Sequence, residues 1–239
     1  MGMRRSGNHA VIHFLRRLYG EQRVIFLNNR NRNKNNFKFF DNRRDIIPDD
    51  KSKVDTMIVS YEDLDINNKD INFNFFSKEK FKNLKNVYFI SIIRDPFNMF
   101  ASRYRLGNYY KFLKNEIIKK PNKVSLMWKG YARRHILIEG FDSINKNISI
   151  NYNNFISSKK YRREISSFTG CDYVEKDLFK MTTEGRGSSF NENNINVDNL
   201  LKRWEEYRND KYYMNIFKDK EIIDLSRKIF GDHVGGDLI

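Results

Sequence analysis

The run Val87–Ile93, VYFISII, constrains the fold more than any other stretch. It is almost continuously apolar, the pattern of a parallel strand buried on both faces. It empties into Arg94-Asp95-Pro96. Pro96 suits a helix start, because its missing N–H would be unpaired there anyway. Phe97, Phe100, Ala101 and Tyr104 predict the apolar side of that helix. Ser102, eight residues after Arg94, sits one or two turns in and can still face a ligand at the strand end.

A second stretch, GMRRSGNHAVIHFL over Gly2–Leu15, reads as a tight polar turn feeding an amphipathic helix. Val11, Phe14, Leu15 and Leu18 have helical spacing, and Gly20 is a natural stop. The Ser6-Gly7 turn lets backbone approach a ligand, and a helix N-terminus offers unpaired N–H groups and the positive end of its dipole. With Arg4 and Arg5 this makes an anion site suited to phosphate or sulfate. Taken alone, it also fits an ordinary capped helix with two solvated arginines.

Further strands are predicted at Arg23–Leu27, Thr56–Ser60 and Ile148–Tyr152. Further helices are predicted over Val124–Glu139, Ser157–Phe168, Val197–Tyr207 and Lys220–Ile229. In the first of these Leu126, Met127, Tyr131, Ile136 and Leu137 are the expected buried residues, with Trp128 and His135 in the core or lining a cleft. In Val197–Tyr207, Leu200, Leu201 and Trp204 face the core. Alternating strands and helices imply an α/β fold with a parallel sheet. Ligands bind at the carboxyl ends of such strands, where Glu62 follows Thr56–Ser60; Glu62 is a site or a structural residue, and Asp63 a turn or helix cap. Gly185–Phe190, GRGSSF, is a third candidate anion loop, with Arg186, Gly187 and Ser188, or else a surface loop. The polar stretch at about 28–45 reads as a loop or insertion, with Phe37, Phe39 and Phe40 among its basic residues. Phe73, Phe75 and Phe76 are expected to cover the sheet.

The length of 239 residues fits one domain over 1–239. The 45 Lys and Arg exceed the 30 Asp and Glu, giving +15, so the partner is expected to be an anion. No run of about 18 apolar residues predicts a membrane span, and no signal-peptide core follows the basic start, so a cytoplasmic location is expected. Cys171 is the single cysteine, which argues against a disulfide framework or a cysteine-rich metal site.

The pair of motifs resembles the sulfotransferase superfamily, whose donor is 3′-phosphoadenosine-5′-phosphosulfate (PAPS). Arg5-Ser6-Gly7-Asn8-His9 aligns with the family's 5′-phosphosulfate loop, and Arg94 and Ser102 with its 3′-phosphate motif at the family's spacing. The resemblance implies a three-layer, P-loop-NTPase-like fold, with a central, mostly parallel sheet flanked by helices. It implies sulfuryl transfer from PAPS to an acceptor hydroxyl, possibly on a glycan, with 3′,5′-adenosine bisphosphate (PAP) as product and no metal. Arg5 stands where the family places its catalytic cation. Arg4, Ser6, Gly7 and Asn8 would serve the 5′ end. Arg94, Ser102 and the Arg186-Gly187-Ser188 loop would grip the 3′-phosphate. Tyr152-Asn153 loosely resembles a family segment that contributes to the nucleotide pocket. Candidate general bases are Glu62 first and His9 second, with His13 and His135 behind them. The family's first loop follows a buried strand, whereas only Met1 and Gly2 precede it here; the expectation is that this strand is absent or that the sequence begins late.

Three rivals remain. A kinase would share the anion sites but needs a metal and a Lys-bearing phosphate loop, and no GxxxxGK[ST] pattern occurs near the start. A nucleotide-binding protein without sulfotransfer activity shares everything but the chemistry. A basic nucleic-acid-binding protein explains the charge, but not Arg94 and Ser102 at their spacing behind a buried strand.

Overall fold

The computed structural model describes residues 1–28, 45–64, 66, 85–106, 121–138, 141–142, 146–173 and 200–232. The segment 29–44, the Phe73–Phe76 cluster and the Arg186-Gly187-Ser188 loop lie outside them. The described residues form an α/β structure.

Strands β1 (Val24–Leu27) and β2 (Thr56–Val59) pair in parallel. Strand β3 (Phe89–Ile93) pairs in parallel with β5 (Asn147–Asn151), and the two-residue β4 (Phe141–Asp142) lies antiparallel on the far side of β5. Residues 1–3 lie between the two pairs. Gly2 makes parallel bridges to Glu62, beyond β2, and to Ile92 of β3. Its N–H donates to the Tyr61 carbonyl at 3.2 Å, and its carbonyl accepts from Asp63 N–H at 3.1 Å. On the other side Ile92 N–H donates to the Met1 carbonyl at 3.0 Å. These isolated bridges stand before the anion loop, where a strand was expected to be absent or to lie outside the sequence. A Cβ on Gly2 would fall 2.3 Å from Asn8 Oδ1, so any larger residue there displaces the Asn8 side chain.

Seven α-helices are described: α1 (Asn8–Tyr19), α2 (Pro96–Leu106), α3 (Pro121–Ile138), α4 (Tyr152–Ser157), α5 (Lys159–Phe168), α6 (Lys211–Met214) and α7 (Lys220–Phe230). Successive β3 residues feed two apolar clusters. Ile92 joins Val11, Phe14, Ile148, Ile150, Phe155 and Ile165. Ile93 joins Met3, Phe97, Phe100, Trp128, Tyr131 and Tyr213. This is the two-residue period of a strand buried on both faces.

Several expectations need correction. In α3 Leu126 and Leu137 are exposed, at 52% and 83%, while Val124, Met127, Trp128, Tyr131 and Ala132 are buried. Apolar character alone placed both leucines in the core; the helix instead packs on β3, β5 and α7, with Trp128 reaching the end of β3. Tyr152 starts a helix rather than ending a strand, because Asn151 caps α4 by accepting from Asn154 N–H. The expected helix Val197–Tyr207 is not continuous: Arg203–Tyr207 is a 3₁₀ turn. Trp204 is still buried there, against Phe97.

Trp128 supplies a test of this packing. Its indole N–H donates to the Arg94 carbonyl at 3.0 Å, at the end of β3. Trp128→Phe leaves that carbonyl unpaired and is expected to cost about 1–3 kcal/mol. Leu137→Ser, on the exposed side, is expected to stay within about 0.5 kcal/mol. Urea unfolding midpoints of the two variants check the contrast.

Candidate anion-binding site

The parallel strands end at a common edge, and the residues that follow them meet there. These are Arg4–Gly7 after the Gly2 bridges, Tyr61–Asp63 after β2, Arg94 after β3 and Tyr152 after β5. Of the sequence-predicted site residues that are described, all except His135 belong to this edge or to the first turns beyond it.

Arg5 is the centre of the cluster. Its Nε donates to Ser102 Oγ at 3.0 Å, and its carbonyl accepts from Arg94 Nη1 at 3.2 Å. The two motifs are therefore joined through one residue. Burial, and next the Arg94 charge, lowers the Arg5 guanidinium to about 10, so it stays protonated at neutral pH. Arg94 is 3% exposed. It also donates from Nη2 to the Leu200 carbonyl at 2.7 Å and lies 5.2 Å from the Tyr152 ring centre. Its Nε is buried without a hydrogen bond among the described residues. Ser102 is wholly buried beneath Arg5.

Gly7 precedes α1 with φ 89°, a left-handed conformation. A Cβ there would lie 2.1 Å from Tyr152 Cε2, so the loop depends on glycine for both backbone and space. Asn8 opens the helix. Its amide nitrogen donates to the Met3 carbonyl at 3.3 Å and to Glu62 Oε1 at 3.4 Å. Ser6 is buried, with its N–H donating to the Met3 carbonyl at 3.1 Å. Arg4 Nε lies 3.4 Å from Glu62 Oε2, and His9 Nε2 lies 3.9 Å from Glu62 Oε1. Both base candidates therefore stand beside the loop, with Glu62 already engaged by Arg4 and Asn8.

Two residues that the sequence pattern did not assign to the site are central to it. Arg103, 1% exposed, pairs through both nitrogens with Asp63, at 2.7 and 3.3 Å. Asp63 Oδ1 also accepts from Arg4 N–H at 2.9 Å. Arg103 stands beside Ser102 on what looked like the polar side of α2. The helix is buried on that side too, a fact set by tertiary packing and not by period. Asp95 is likewise buried: Asn98 donates to its Oδ1 from both N–H and Nδ2, and burial raises its pKa against the opposing effect of Arg94.

His135 is held elsewhere. Its Nδ1 lies 2.9 Å from Ser149 Oγ on β5. His13 lies half-buried on α1. Among the described residues no group of His, Cys, Asp and Glu is arranged to hold a metal ion. No described helix is long and apolar enough to cross a membrane.

Gly7→Ala is expected to destabilise the fold by about 2–4 kcal/mol, from left-handed strain plus overpacking. Adding Tyr152→Ala removes the overlap but not the strain. Chemical denaturation of the double variant should therefore recover part of the single variant's loss relative to Tyr152→Ala alone. His135 gives a pH signature. Burial depresses its folded pKa below the 6.5 of the free side chain, with Ser149 opposing. The unfolded chain then takes up the proton first as pH falls. Its stabilising contribution is present above about pH 6.5 and is lost as pH drops through the lower folded value. The fall in melting temperature between about pH 7.5 and 5 should shrink in His135→Gln; an unchanged fall assigns it to other groups.

Comparison with protein-family models, with curated proteins and with solved structures gave no match for this chain.

Proposed function

We propose that the chain is a PAPS-dependent sulfotransferase with a three-layer, P-loop-like fold. The observation that carries this reading is the junction of the two motifs on Arg5: the anion loop and the Arg94–Ser102 helix, 89 residues apart in sequence, share hydrogen bonds at a strand-end edge. Apolar clusters supplied by alternate β3 residues support the layered fold.

Electrostatics support an anionic ligand. Arg4, Arg5, Arg94 and Arg103 gather with the carboxylates Glu62, Asp63 and Asp95, leaving one cation in excess when all are charged. The buried, unpartnered Arg94 Nε fits a further acceptor. The first N–H groups of α1 lack intrahelical partners and add the positive end of a dipole. A phosphate or sulfate oxygen satisfies both.

PAPS supplies the sulfuryl group, which passes to an acceptor hydroxyl as the S–O bond to the phosphate breaks. Arg5 stabilises the charge that builds on the leaving phosphate. It does so by electrostatics and hydrogen bonding, since arginine gives up a proton reluctantly. Ser6, Gly7 and Asn8 hold the 5′-phosphate. Arg94 and Ser102 grip the 3′-phosphate; Ser102 Oγ accepts from Arg5 and keeps its own proton to donate. Glu62 or His9 takes the acceptor proton. A carbohydrate hydroxyl is the acceptor class we favour. Positioning and charge, rather than covalent chemistry, provide the catalysis.

Calorimetric titration tests the reading with PAP, ATP and 5′-AMP. Wild type is expected to select PAP, with at least a tenfold weaker response to 5′-AMP. Arg94→Lys keeps a cation but cannot bond the Arg5 and Leu200 carbonyls together, and should weaken PAP by an order of magnitude or more. Preference for ATP with Mg²⁺ would mean a kinase, and indifference to all three nucleotides would remove the donor reading.

A further inference from the structure

We infer that Asp63 and Arg103 form a positioning pair that sets the backbone of the Arg4–Arg5 link and so aims the Arg5 guanidinium. The inference deepens the donor-site reading above, and its catalytic arm rests on it.

The two side chains hold opposite ends of one residue. Asp63 Oδ1 accepts from Arg4 N–H at 2.9 Å, and Arg103 Nη1 donates to the Arg4 carbonyl at 3.4 Å. The pair is closed by the 2.7 Å contact between Arg103 Nη1 and Asp63 Oδ1. Asp63 is itself fixed by its N–H bond to the Gly2 carbonyl at 3.1 Å. The residue after the clamp, Arg5, has φ 73°, and Asp63 has φ 53°. Left-handed backbone at a non-glycine residue is strained and persists only where surroundings over-determine it. Here the surroundings are visible. The clamp holds the Arg4 peptide groups, and Arg94 holds the Arg5 carbonyl. With the backbone held, the Arg5 side chain reaches Ser102 Oγ. Released, Arg5 relaxes to negative φ and its guanidinium swings away from Ser102 and Arg94. Ser102 and Arg103 are neighbours on α2, so one helix turn locates both the Arg5 side chain and the backbone that bears it.

A brace that only joins α2 to the segment after β2 needs the ion pair alone. A positioning pair needs the Arg4 bonds as well. Asp63→Asn weakens the ion pair that both roles share, and the readouts separate them, since only a positioning pair loosens residues 1–10 beyond the rest of the fold. Glu206→Gln is the control: it breaks the exposed pair with Arg105 on the same helix, 2.8 Å apart, and touches nothing in the loop.

Two readouts are needed. Hydrogen–deuterium exchange of the peptide spanning residues 1–10 reports the clamp without any nucleotide. Asp63→Asn is expected to speed its exchange at least tenfold more than that of α3, and Glu206→Gln to leave it unchanged. Steady-state release of PAP from PAPS, with water or an alcohol as acceptor, reports the aim of Arg5. There kcat should fall by roughly 100-fold, with KM for PAPS within about threefold, because misplacing a catalytic group by an ångström costs rate more than binding. Exchange in residues 1–10 that rises only in step with the rest of the protein overturns the positioning role. So does a lowered melting temperature with unchanged kcat. Wild type that neither binds PAP nor turns over PAPS removes the donor reading, and the exchange result then decides the clamp by itself.

Discussion

Burying arginine next to arginine is the constraint on which this architecture depends. Arg94 and Arg103 are 3% and 1% exposed, and Arg5 is shifted downward first by burial and then by the Arg94 charge. Water is excluded from Arg94 and Arg103 and reaches Arg5 only in part, so the protein solvates these groups with oxygens. It uses the Arg4, Arg5 and Leu200 carbonyls, Ser102 Oγ and the Asp63 carboxylate. Most of these acceptors are backbone atoms. The geometry of the loop and the solvation of the cations are therefore one problem with one solution.

That solution links distant parts of the chain. Arg94 ties the anion loop to Leu200, and Asn98, four residues on, donates to the Leu201 carbonyl at 2.6 Å. Tyr213 OH donates to the Phe97 carbonyl at 2.7 Å, within the same cluster as Trp128 and Tyr131. The start of α2 therefore collects partners from residues 5, 128, 200, 201 and 213. A helix used in this way is buried on nearly every side, which explains why it carries arginine and asparagine, with Asp95 just before it, without being amphipathic.

The strands and the two motifs were legible in the sequence because their signals are local. VYFISII could only be a strand buried on both faces, and Gly7 before an apolar helical period marked the loop. The 3.6-residue pattern also located α1, α5 and α7 within a few residues. What stayed hidden depends on contacts between elements. Arg103 and Asp63 look like surface charges, since nothing in their neighbours announces that α2 is enclosed. Leu126 and Leu137 misled in the other direction: the aromatic residues of α3, and not its leucines, face the core. The break before Arg203–Tyr207 likewise follows from docking of Leu200 and Leu201 carbonyls on Arg94 and Asn98, which a helical spacing of apolar residues does not encode.

The position of Glu62 shows how one carboxylate ties several side chains together. Glu62 already neutralises Arg4 and accepts from Asn8, and withdrawing it would release the residue that starts α1. His9 stands on the first turn of that helix, a quarter exposed, with one nitrogen directed to within 3.9 Å of the same carboxylate and its ring edge-on to Phe26. Glu62 thus links Arg4, Asn8 and His9 at the start of α1. The two carboxylates after β2 then divide the support of the loop between them. Asp63 holds the backbone that aims Arg5, and Glu62 holds the side chains that surround it.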